Sequence, residues 1–181
     1  MNPVLQAVAR AALDATGAGA GWVLALEGDK LRAVGAAGEG TGELYGTQLP
    51  AGAGTPGYVV SSGQPIAIAP RGGDPRLGGG LGARLGKPAT AVLCVPCFHD
   101  DAVVGALELV DKAGRQQFSY DDVELVTLLG GIAGAALGVA GPETAARPPA
   151  EFSAELAQLA SSDPTAYARL SVVLEALLAR G

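Results

Sequence analysis

The stretch that most constrains this chain is residues 91–137, AVLCVPCFHDDAVVGALELVDKAGRQQFSYDDVELVTLLGGIAGAAL. Two apolar, β-type runs, residues 89–98 and 102–110, flank His99-Asp100-Asp101, a charged connection short enough for a hairpin. A helix is expected next, over residues 119–139. Ser119 is a candidate N-cap, and Asp121, Asp122 and Glu124 fall in the first turns, where unpaired N–H groups and the macrodipole favour negative charge. A hairpin leading directly into a long apolar helix calls for a sheet with a helix laid on it, which places the chain in the α+β class.

Upstream, Val4, Leu5, Val8, Ala12 and Leu13 recur at helical spacing, with Pro3 acceptable in a first turn, so residues 2–15 read as a helix. Residues 21–26 and 31–34 are apolar runs around Glu27-Gly28-Asp29-Lys30, a second hairpin signature. A short helix over residues 52–62 should stop at Gly63, and residues 66–69 make a strand closed by Pro70. Residues 71–88 hold seven glycines and no periodicity. Loops of that length inside a compact domain are usually functional or disordered. The expectation is a central antiparallel sheet of five to six strands flanked by helices.

The helix near residue 130 has two readings. Residues 125–141 carry no charge, and Gly130, Gly134 and Gly138 line one side in a G-x-x-x-G-x-x-x-G pattern of the kind that packs transmembrane helices. The stretch falls short of the ~20 apolar residues of a span and lacks a basic flank, so a buried packing helix with no membrane span is expected. Each interior glycine costs about 1 kcal/mol relative to alanine, so the ridge should meet a close neighbour, either a sheet face or a second subunit. A homodimer with the ridge near its two-fold axis is expected.

Residues 141–150, GPETAARPPA, read as a Pro-containing linker between a domain at residues 1–140 and a helical tail at residues 151–181. In the tail, Phe152, Leu156 and Leu159 share a face, and Asp163-Pro164 resembles an N-cap followed by a first-turn proline. Tyr167, Leu170, Val173, Leu174, Leu177 and Leu178 then form a continuous apolar stripe. Its cover is its own domain, its copy in a dimer, or a partner protein.

The formal net charge of -6, with no Lys/Arg cluster, weighs against nucleic-acid binding, which depends on clustered positive charge. The first residues lack a signal-peptide pattern, so a cytoplasmic protein is expected. Cys94 and Cys97 form a C-x-x-C, but zinc would need two more ligands and the chain has one His and no other Cys. In an extended run, residues three apart point to opposite faces. The pair therefore reads as two unrelated core thiols, reduced and free of metal, over a redox couple. No nucleophile elbow, metal-ligand cluster or phosphate-cradling loop is present, and Gly78-Gly79-Gly80 lacks the lysine such a loop requires.

The element order over residues 1–140 resembles a GAF domain, the small sensory module of phosphodiesterases, histidine kinases and transcriptional regulators. Residues 54–70, GTPGYVVSSGQPIAIAP, are similar to that family's glycine-started short helix, whose Gly-x-Pro ending feeds a strand. Asp74-Pro75-Arg76 resembles the opening of its long loop, Val92-Leu93-Cys94-Val95-Pro96 its Leu-x-Val-Pro strand, and Gly105-Ala106-Leu107-Glu108-Leu109 its Gly-x-Leu-x-Leu strand. The Asn-Lys, Phe, Asp-Glu motif of cyclic-nucleotide-binding members appears here as Asp111-Lys112, Phe118 and Asp122, with Asp111 for Asn and Val123 for Glu. Lys112 facing Asp122 over Phe118 would pin strand to helix, as a structural clamp or a ligand contact.

The resemblance implies a ligand cavity between one sheet face, the short helix and the long loop, with Trp22, Tyr58, Leu77, Val92, Cys94 and the loop arginines Arg76 and Arg84 as candidates. The arginines would suit an anionic ligand, or are simply solvated. His99 reads as an exposed turn residue, not a haem ligand, and no cofactor is expected. The family's free methionine-R-sulfoxide reductases carry thiols near the short-helix start and in the long loop, where this chain has none, so no enzyme activity is expected. The implied function is a regulatory domain that binds a small ligand or a partner signalling protein and relays through dimer and C-terminal helices. The alternative is a GAF scaffold with a closed pocket, used only for protein interaction.

Overall fold

The computed structural model describes residues 2–69, 89–114, 117–140, 157–162, 164, 167 and 168. By internal contacts the chain divides into two units, Met1–Pro142 and Glu143–Gly181. In the second unit, residues 157–162, 164, 167 and 168 are helical, with Tyr167 partly exposed. Leu170, Val173, Leu174, Leu177 and Leu178 lie outside the described residues.

The first unit opens with helix α1, Pro3–Thr16. Asn2 caps it, accepting a 2.9 Å hydrogen bond from the Val4 N–H, and Pro3 fills a first-turn position where a missing N–H costs nothing. Gly17 ends it in the left-handed conformation, φ 71°, donating to the Leu13 carbonyl. Strands β1, Ala18–Glu27, and β2, Lys30–Gly38, form the first hairpin around Gly28-Asp29. A 3-10 turn, Gly42–Leu44, and a three-residue strand β3, Gln48–Pro50, follow. Neither shows in the sequence pattern, because three residues are too few for a period.

Helix α2, Gly54–Ser62, stops at Gly63 as the sequence reading placed it, and β4 is Ile66–Ile68. The second hairpin pairs β5, Val92–His99, with β6, Ala102–Lys112, and α3 is Tyr120–Ala140. Asp100 and Asp101 both take positive φ, the geometry of a two-residue hairpin turn that matches strand twist. His99 is thereby the last residue of β5 and not a turn residue. Its ring, two-thirds covered, lies against Gly138. Strand β6 runs two residues beyond Val110.

The six strands make one antiparallel sheet in the order β3-β2-β1-β6-β5-β4. Both faces are covered. On one, Val23, Leu93, Val95, Cys97, Leu107 and Leu109 pack under Leu5, Val8 and Leu13 of α1 and Val126, Ala133 and Leu137 of α3. On the other, Trp22, Leu24, Leu31, Val92 and Val110 form one cluster, and Cys94 and Ala106 meet Val59 of α2. Gln6 of α1 clasps β2, donating to the Ala36 carbonyl and accepting from the Ala36 N–H.

The glycine ridge faces β5 of its own chain. A Cβ on Gly134 would overlap the Phe98 backbone, one on Gly138 the His99 ring, and one on Gly130 would press on Pro96 and Val95. The ridge therefore seats α3 directly on β5. The sheet face needs a cover and the absent side chains let helix and strand backbones approach, so the neighbour required by the glycines is within the domain. Among the described residues α3 is the one helix long and apolar enough to cross a membrane. Its opposite side exposes Leu125, Leu128, Ile132 and Val139.

Candidate functional site

One line of side chains crosses the inner face toward α2. The register puts Trp22 of β1 opposite Glu108 of β6, and Glu108 opposite Cys94 of β5, with Ala36 of β2 and Ile66 of β4 extending the row. Cross-strand partners hold their Cβ atoms ~4.5–5.5 Å apart, so Trp22, Glu108 and Cys94 are immediate neighbours. All three are buried, Glu108 at 2% exposure. From α2, the Thr55 hydroxyl donates to Glu108 Oε1. Glu108 Oε2 and Trp22 Nε1 are buried and have no hydrogen-bond partner among the described residues.

Burial raises the Glu108 carboxyl to about 7, outweighing the Thr55 hydrogen bond, which favours the ionised form. The Cys94 thiol is also raised, by burial first and then by the neighbouring Glu108 and Cys97. Burial raises Cys97 to about 12. The two cysteines are free and belong to opposite faces, Cys94 with α2 and Cys97 under the α1/α3 layer.

The sequence reading brought Trp22, Val92 and Cys94 to this face, and the structure buries them there together. Tyr58 is a correction. Thr55 and Val59, four residues apart, turn inward, while Tyr58, about 100° round the helix from Val59, points outward at 44% exposure. Arg76, Leu77 and Arg84 lie outside the described residues. Glu108 and Thr55 were missed. A glutamate in an alternating strand usually marks the wet face. Here Ala106 and Val110 on its own face are as apolar as Leu107 and Leu109 on the other, and that two-sided pattern is the signal that Glu108 is buried.

A second cluster joins β6 to α3. Lys112 Nζ binds Asp122 Oδ2, and the same oxygen accepts from the Ser119 N–H at 2.6 Å and the Ser119 hydroxyl at 2.8 Å. The Asp122 N–H returns a bond to Ser119 Oγ at 3.2 Å, a capping box closed by aspartate. Lys112 Nζ lies 5.8 Å from the centroid of the buried Phe118 ring. Partial burial pushes the Asp122 carboxyl up, but the Lys112 and Ser119 hydrogen bonds outweigh it and hold it below the usual range. Asp111 takes φ 59°, a conformation that Asn and Asp tolerate best among non-glycine residues, and its carboxylate accepts the Thr90 N–H at 2.8 Å.

The sequence model of the GAF domain matches residues 2–138. The chain belongs to the GAF domain family. Among solved structures, the second GAF domain of DevS from Mycobacterium smegmatis is similar at 26% identity and TM-score 0.59, covering 76% of this chain and 93% of that one. The GAF domain of a phosphoenolpyruvate-protein phosphotransferase from Coxiella burnetii, at 18% identity and TM-score 0.65, covers 75% of this chain and 81% of that one. The free methionine-R-sulfoxide reductase of Neisseria meningitidis, solved with its substrate, has 20% identity and TM-score 0.58 over 74% of this chain and 75% of that one. No curated protein matches the chain. GAF domains are typically sensory or regulatory, and in this one the Trp22, Glu108 and Cys94 row lies on the face covered by α2.

Proposed function

We propose that this GAF domain is a non-enzymatic regulatory module that binds a small molecule between the sheet and α2, and relays occupancy through a homodimer and its C-terminal helices to a partner signalling protein in the cytoplasm. The observation that carries this reading is the pair of unpartnered buried atoms, Trp22 Nε1 and Glu108 Oε2. Folded proteins leave few buried polar atoms unpaired, and each needs an explanation. A bound molecule would supply one here.

One further feature supports the relay. Leu125, Leu128, Ile132 and Val139 make an exposed apolar stripe on α3, at spacings of three, four and seven, on the side away from the glycines. A second copy of the domain would cover it. Against catalysis, the chain's two cysteines are both buried with raised thiols, and the thiolate is the reactive form.

Native mass spectrometry of the full chain purified from its own host is the test, with a retained small molecule expected. A protein that carries none, and whose stability no metabolite mixture alters, would overturn the ligand reading in favour of a closed interaction scaffold.

A further inference from the structure

We infer that the Trp22–Glu108 pair recognises an amide-type edge, an N–H donor beside a C=O acceptor, as found in lactams, ureides, pyrimidine bases and primary carboxamides. This rests on the ligand-binding reading above and specifies its chemistry. Trp22 Nε1 is a donor only, and it is unpaired. Glu108 Oε1 is already engaged by Thr55, which leaves Oε2 as the free oxygen and fixes how the carboxyl is turned.

The two orphans belong to cross-strand partners, so one unpaired donor and one unpaired acceptor come from adjacent side chains on a rigid sheet. The ligand carbonyl accepts from Trp22, and the ligand N–H donates to Glu108. Both orphans are then satisfied by one rigid group. Above pH 7, where Glu108 is ionised, a carboxylate ligand would place its charge against that of Glu108 in a buried site, which is strongly unfavourable. A hydrocarbon would leave both atoms unpaired. The row thus selects for neutral, planar, hydrogen-bonding groups and against anions. Cys94, Val59 and Ala106, which pack together beside the pair, add only apolar surface.

Trp22 is the chain's only tryptophan, so its indole N–H gives a single resonance that reports on this site alone. The full-length protein, labelled with 15N, is titrated with 2-pyrrolidinone, uracil and nicotinamide, with nicotinate as the control that lacks the donor. A saturable shift of the indole N–H with at least one amide probe, and none with nicotinate, is expected. Glu108→Gln, which replaces the free acceptor with a donor, should weaken that binding at least tenfold. Trp22→Phe should do the same, read by the thermal shift the probe confers.

No indole shift with any probe, together with a cross-peak from the indole proton to a long-lived water, would overturn the inference, because a buried water then satisfies the pair. Binding that survives both substitutions would also overturn it while leaving the ligand-binding reading intact. Absence of any retained molecule in the native protein is the separate result that removes the reading itself.

Discussion

Glu108 is the residue whose protonation most changes this protein. Unfolded, its carboxyl titrates near 4.5; folded, near 7. Below about pH 4.5 both states hold the proton and the group contributes no pH dependence. Between 4.5 and 7 the folded state holds more protons than the unfolded one, so stability falls as pH rises, by about 3 kcal/mol at ~1.4 kcal/mol per unit, and is level above. Glu108→Gln keeps an acceptor for Thr55 but cannot ionise. In urea unfolding of ligand-free protein across pH 4.5 to 8, the variant should lose this slope and become the more stable form above pH 7. A wild-type slope left unchanged in the variant would assign the pH dependence to other groups. The sequence was informative here only in part. Lys112 and Asp122 were legible because strand end and helix start are fixed neighbours and opposite charges meet there. Glu108 was missed, since alternation alone cannot tell a wet face from a face covered by another helix, and only the apolar Ala106 and Val110 on its own face mark it as buried.

Two elements of the fold depend on how α3 is held. The Lys112, Ser119 and Asp122 cluster fastens its first turn to β6. Both side chains of the ion pair are 11% exposed, so Lys112→Ala leaves a largely buried carboxylate with Ser119 alone and should cost about 1–3 kcal/mol, more than the ~0–1 of an exposed pair. Because Asp122 is held low, its contribution persists above its unfolded pKa of 3.8 and is lost as pH falls below that value. The wild-type advantage over Asp122→Asn, measured by urea midpoints, should therefore shrink between pH 4 and pH 2. Further along, Gly134→Ala must push α3 off the Phe98 backbone and should destabilise by more than about 2 kcal/mol. Gly131→Ala meets nothing within 4 Å and should stabilise by about 0.5–1 kcal/mol. Equal effects at the two positions, compared by chemical denaturation, would contradict the seating of the ridge on β5. The glycine spacing announced a close neighbour. It did not identify it, because a strand backbone and a second helix make the same demand for absent side chains.

At the scale of the whole molecule, the core described in Met1–Pro142 is assembled from α1, α2, α3 and the sheet. A protein ending at Pro142 should therefore keep its far-ultraviolet spectrum and melt cooperatively within a few degrees of the full chain, while losing whatever association the tail provides. Leu128→Lys with Ile132→Lys should turn a proposed dimer into a monomer with little change in melting temperature, since both side chains are exposed. Sedimentation velocity over a hundredfold concentration range decides this, and a wild-type monomer throughout would remove the dimer from the proposal. Helix and hairpin order were readable from periodicity across this unit, whereas β3 is too short to carry a period. The sheet's two central strands come from opposite ends of the domain, with Ala20 pairing with Val110 and Gly21 with Leu109. That ladder cannot close until a very long loop has been drawn in, a high-contact-order event that places folding toward the slow end for small domains. During synthesis, α1 and the first hairpin emerge while the inner edge of β1 still has no partner, and they must wait for β6. Substitutions that weaken the β1–β6 ladder should therefore slow refolding and increase aggregation of nascent chains, even where the finished protein tolerates them.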